Sequence, residues 1–166
     1  LSQSGGQLSY ELVSLLIDYS DHLIIALNNG WNLGDVTVDS GGDTIEVVDP
    51  DSPIFGTILE IAPNALDART VIVMKHANID APIPYAAGFA GPLIELGPEG
   101  LILNAECKLW LPYSDIDQDG IIDGTNVSET FLQVRRYGDE LNRLMYIPTV
   151  VDSIGNFAIA SLEHFS

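Results

Sequence analysis

From Trp31 onward, short apolar-alternating runs are cut by turn residues at intervals of roughly 8–12 residues, and this rhythm constrains the fold more than any other feature. Residues 35–38 alternate and stop at Ser40-Gly41-Gly42. Residues 44–48 stop at Asp49-Pro50-Asp51-Ser52-Pro53, and residues 56–61 stop at Pro63-Asn64-Ala65-Leu66. Residues 69–75 form the clearest strand pattern, and further runs fall at 93–96, 101–103, 107–111, 131–137, 144–147 and 156–160. Proline cannot donate to a sheet ladder, and glycine gives the backbone its tightest turns, so each interruption ends a strand. Many short strands with even punctuation predict an all-β fold, an antiparallel β-sandwich. There is no internal repeat and no low-complexity tract.

The first forty residues follow another pattern. Residues 1–7 are polar and glycine-rich, as a flexible end would be. Leu8, Leu12, Leu15, Leu16, Tyr19, Leu23 and Leu27 then recur at spacings of three and four, and Asn28-Asn29-Gly30 supplies a stop. That spacing predicts an amphipathic, partly helical segment. The β-branched Val13, Ile17, Ile24 and Ile25 leave a strand open as the rival. The expected division is an N-terminal extension at 1–40 and a sandwich at 41–166. An apolar segment outside the sandwich pattern has two uses: a lid on its own core, or an assembly element (residues 1–28) that packs on another subunit.

Charge narrows the partners. The 166 residues hold 24 Asp and Glu against 6 Lys and Arg, a net charge of −18, and no Lys or Arg precedes Arg69. Such a surface repels phosphate backbones and anionic membranes, which leaves nucleic acid out and points to cations. The mean hydropathy of +0.22 excludes a wholly disordered chain. No apolar run approaches the roughly 18 residues of a membrane span. Cys107 is the single cysteine, so no internal disulfide forms; it reads as a small buried hydrophobe. A chain opening on Leu1 is expected to be a processed product or an excised piece.

The most specific chemistry lies in Asp115-Ile-Asp-Gln-Asp-Gly-Ile-Ile-Asp123. With Asp115 as position one, Asp117, Asp119 and Asp123 take positions three, five and nine. Gly120 takes six, and Ile121 offers its carbonyl at seven. This is the spacing of an EF-hand-type calcium loop. Alternate carboxylates on a tight turn converge, and a set of oxygens selects a hard cation. Position twelve is Asn126 rather than Glu, so either Asn126 gives one oxygen or Glu129 reaches back. No helices flank the loop, which predicts a calcium site that stiffens a connection between strands. The alternative is a solvated acidic turn.

Several of these elements together resemble a known module. Gly41-Gly42, Ser52-Pro53 with Gly56-Thr57, Ile61-Ala-Pro-Asn-Ala-Leu66, Gly88-Phe89, Leu96-Gly-Pro98, Leu109-Trp-Leu-Pro-Tyr113 and Glu163-His-Phe-Ser166 occur in one order. The set is similar to the ZU-five domain of zonula occludens proteins, netrin receptors and ankyrins, and closest to its bacterial and archaeal surface-protein versions. The resemblance covers residues 41–166. It implies a β-sandwich in an extracellular or cell-surface protein or filament of a prokaryote, without enzymatic activity. The His164-Phe165-Ser166 ending also resembles a self-cleavage site. There the Ser166 hydroxyl would attack the Phe165 carbonyl and His164 would take the proton, giving an ester by N-to-O acyl shift. The other reading is that the tripeptide finishes the last strand, with Phe165 buried and His164 and Ser166 on the opposite face.

Smaller signals complete the inventory. Arg135, Arg136 and Arg143 form the main positive cluster and are expected to pair with acidic groups on neighbouring strands or on another subunit. Trp31 and Trp110 read as core. His22 and His76 have no partner at ligand spacing. The proline-rich stretch at 78–92 is a long loop and offers a third use, as a ligand-binding module.

Overall fold

Alternation along each strand decides which side chains meet in the interior. The computed structural model describes residues 35–77, 91, 93–138 and 143–165. Ten strands run through them: β1 (Asp35–Val38), β2 (Asp43–Glu46), β3 (Ile58–Ile61), β4 (Thr70–His76), β5 (Ile94–Gly97), β6 (Ile102–Pro112), β7 (Arg135–Gly138), β8 (Arg143–Tyr146), β9 (Thr149–Asp152) and β10 (Phe157–His164). Every pairing is antiparallel. One sheet has the order β1-β4-β5, the other β2-β3-β6-β10-β9, and β7-β8 is a separate two-stranded ribbon.

The two larger sheets share one core. Val36, Val38, Ile72 and Met74 enter it from the three-stranded sheet. Ile45, Leu59, Ile61, Leu103, Cys107, Leu109, Ala158, Ala160 and Leu162 enter it from the five-stranded sheet. This is the sandwich the punctuation predicts. Each fully buried aliphatic, such as Leu59 or Ile72, contributes about 1.5–3 kcal/mol over an exposed one. The sheets begin ahead of Gly41, because β1 pairs with β4 from Asp35↔Val73 to Val38↔Thr70.

The β1–β2 turn needs glycine at one position. Gly42 has φ +77°, and a Cβ there would lie 2.4 Å from the Ile61 carbonyl oxygen and 2.8 Å from Pro63 N. The paired glycine of the sequence therefore lets the turn lie directly against the end of β3.

Four expectations change. The runs at 101–103 and 107–111 are one strand, β6, because Asn104 and Glu106 sit on its exposed face rather than in a turn. Residues 149–152 form β9, which the preceding Pro148 and its own last residue, Asp152, conceal. The start of the 131–137 run is a short 3-10 turn (Glu129–Phe131) capped by the Ser128 hydroxyl, and strand begins only at Arg135. Trp110 is half-buried rather than core; it meets Phe157 edge-on, ring centroids 5.8 Å apart. Residues 1–34, most of the 78–92 loop and Ser166 lie outside the described residues, and with them Trp31, His22 and the apolar N-terminal segment.

Candidate metal centre

The acidic loop leaves the end of β6 and folds back on itself through its own carboxylates. Asp115 is only 2% exposed. Its Oδ1 accepts from the Asp119 amide (3.2 Å) and its Oδ2 from the Gly120 amide (3.0 Å). That wrap requires a left-handed residue, and Gly120 supplies it at φ +80°. Asp119 Oδ1 accepts from the Ile121 amide at 2.8 Å. Asp123 closes the loop, its Oδ2 taking the Ser114 hydroxyl (2.6 Å) and the Ile116 amide (3.1 Å). Beyond it, an antiparallel bridge joins Ile121 to Ser128, with Ile122 N donating to Val127 O and Glu129 N to Gly120 O.

The result is a convergence of three carboxylates. One ligand oxygen each from Asp115, Asp117 and Asp123 lies within 4.8 Å of the others. Like charges that close disfavour one another, and a cation between them removes the repulsion. This triad could hold a metal ion. Asp119 and Glu129 are not part of this group, and the Glu129 carboxylate accepts from the Tyr113 and Ser153 hydroxyls. Asn126 is exposed on the same loop, and Ile121 is held by its bridge to Ser128.

One residue from outside the loop fastens to it. Asn156, in the β9–β10 turn at φ +58°, donates its Nδ2 to the Asp115 carbonyl at 3.0 Å, and its own carbonyl accepts from Tyr113 N at 3.0 Å. Its Oδ1 is buried without a hydrogen-bond partner. An amide oxygen left without a partner is of the donor type that a hard cation takes. The sequence marks it only as an Asn after Gly155, forty-one positions from Asp115.

Glu129 is a buried strut of the same connection. Its carboxylate accepts hydrogen bonds from the Ser153 and Tyr113 hydroxyls, which hold it below the usual carboxylate range. Burial, then the Glu129 hydrogen bond and charge, push the Tyr113 phenol well above its usual range. Glu129, one of the two residues offered for position twelve, is tied through Ser153 to the β9–β10 turn. Tyr113 was invisible to the loop motif because it precedes position one.

The chain's end is differently arranged. Phe165 is buried, its N–H donating to Leu101 O (2.8 Å) and its carbonyl accepting from Gly100 N (3.0 Å). His164 is exposed, and Arg136 donates to its Nε2 at 2.6 Å. Arg135 donates to Gln133 Oε1 at 2.8 Å. Cys107 is buried, and burial raises its thiol pKa.

No family model matches the sequence, and no curated protein matches it. No helix among the described residues is long and apolar enough to cross a membrane.

Proposed function

We propose that this chain is a non-enzymatic extracellular module of a prokaryotic surface protein or filament, a ZU-five-like sandwich stabilised by calcium. The observation that carries the reading is the convergence of Asp115, Asp117 and Asp123 within 4.8 Å. Calcium is favoured over magnesium because the donors are irregular: carboxylates, the Ile121 carbonyl, Asn126 and the orphaned Asn156 oxygen. Calcium accepts six to eight oxygens flexibly, whereas magnesium demands a near-ideal octahedron. The ion's work is structural. It neutralises three carboxylates on a connection that ties β6 to the β9–β10 turn. The net charge of −18 keeps the module soluble and turns phosphate away. Its partners are neighbouring surface modules or further copies, reached through residues 1–28.

Calorimetric titration of metal-free protein tests the reading. One calcium per chain is expected, with weaker binding of magnesium and none in Asp117→Asn/Asp123→Asn. Absence of calcium binding by the wild type overturns it.

A further inference from the structure

Of the nine asparagines in the chain, Asn126 alone stands in an Asn-X-Ser/Thr triplet, Asn126-Val127-Ser128. This is the acceptor form for N-linked glycans: the asparagine amide takes the sugar, and the hydroxyl two residues on is read with it. Such a short motif also arises by chance, so its place in the fold has to decide. Backbone bonds that leave Asn126 out shape its turn. Ile121 bridges to Ser128, and the Ile122 and Thr125 amides donate to the Val127 and Ile122 carbonyls, both at 3.0 Å. Asn126 lies within this turn, and residues 123–127 are all exposed. Among the described residues its side chain has no hydrogen-bond partner. The amides of Asn104 and Asn156, by contrast, are committed to Asp67 Oδ1 at 2.7 Å and to the Asp115 carbonyl at 3.0 Å. The Ser128 hydroxyl meets only the exposed hydroxyl and amide of Thr130, at 3.0 and 3.4 Å. The turn belongs to neither large sheet. A sugar on Asn126 therefore breaks no contact and enters no core.

We infer that Asn126 is the acceptor of an N-linked glycan. The inference rests on the proposed extracellular placement, since this modification belongs to surface loops of secreted chains. The donor class is an oligosaccharide joined through C1 of its first sugar to a lipid pyrophosphate. Asn126 Nδ2 forms a bond to that C1, and the C1–oxygen bond breaks. The lipid pyrophosphate leaves with the bonding pair, and the amide gives one proton to a base of the transferase. No oxidation or reduction takes place. Asn126 Oδ1 is untouched, so the loop keeps that oxygen for a cation. The glycan adds solubilising bulk to a connection that also exposes Val127 (48%) and Phe131 (74%).

Transfer to the folded full chain in vitro tests this. The reaction holds a purified oligosaccharyltransferase that reads Asn-X-Ser/Thr, a lipid-linked oligosaccharide, and an unrelated acceptor peptide that reports turnover. Intact mass counts the glycans, and peptide mapping places them. The wild type is expected to rise above 17.9 kDa by one glycan at Asn126, with its far-UV circular dichroism retained. Asn126→Gln and Ser128→Ala are expected to stay at the unmodified mass, and Ser128→Thr to be modified like the wild type. An unmodified wild type in a reaction that consumes the peptide overturns the inference, as does a glycan that persists in Asn126→Gln. Neither result touches the extracellular reading, because the purified enzyme requires no export. That reading is tested by labelling intact native cells with a membrane-impermeant biotin ester. A chain that stays unlabelled until lysis overturns it, and this inference with it.

Discussion

Tyr113 donates its phenolic hydrogen to the buried carboxylate of Glu129, sixteen residues further on, and so closes the acidic loop at its base. Ser153 donates to the same carboxylate, which fastens the loop to the β9–β10 turn. A buried acceptor that loses its donor is left desolvated without compensation. Tyr113→Phe is therefore expected to lower the Tm by several degrees, and Glu129→Leu by more, since it strands two hydroxyls. Thermal unfolding of the variants checks this. The double variant Tyr113→Phe/Glu129→Leu should cost less than the sum, because the two residues share one bond.

The same pair sets the pH response, and the signs differ at its two ends. Glu129 is held below its ordinary value, so its contribution is present above about pH 4.3 and is lost as pH falls through its lower folded value. Tyr113 is held above its ordinary value, so its contribution is present below about pH 10 and is lost as pH rises beyond that. Denaturant midpoints across pH should show Glu129→Gln flattening the acid limb and Tyr113→Phe flattening the alkaline limb.

At the β1–β2 turn, Gly42→Ala is expected to destabilise the fold by at least about 1–3 kcal/mol, the range for a strained backbone. The new Cβ meets backbone atoms of Ile61, Ala62 and Pro63, which cannot swing aside as a side chain would. Gly100→Ala makes the control. Its φ is similarly positive, at +75°, but nothing lies within 4 Å of the added carbon, so it should cost less. Urea titrations of the two variants measure the difference.

The strand rhythm was legible because turn residues act locally: Gly42, Pro63 and Gly97 mark breaks whatever surrounds them. The continuity of β6 was hidden because Asn104 and Glu106 look like a loop until the sheet gives them a solvent face. Trp110 looked like core for a similar reason. Hydrophobicity reports that a residue seeks cover, and register decides on which side of the sheet it lies. In the acidic loop the spacing identified Asp115, Asp117 and Asp123, all on one short segment. It could not sort Asp119 from them, since that depends on where the folded loop places each carboxylate oxygen. Asn156 and Ser153 arrive from another hairpin, and no local pattern encodes a contact made by tertiary folding.

Cys107 should be unreactive in the folded protein. It is 1% exposed, and burial, with smaller contributions from Glu60 and Glu106, raises its pKa, so both access and thiolate fraction are low. Ellman's reagent is expected to label less than a tenth of the native thiol in the time that labels all of it in guanidinium. Rapid native labelling would show that the sandwich opens around β6.

Calcium stabilisation is tested most directly by the Tm of the full chain in chelator and in graded calcium. Binding to the folded state alone adds about 2.7 kcal/mol at one hundred times Kd, which for a chain of this size raises the Tm by roughly 5–10 °C. The predicted result is a Tm that climbs with the logarithm of calcium concentration in the wild type and stays flat in Asp117→Asn/Asp123→Asn. A wild-type Tm that does not move at millimolar calcium would contradict the account.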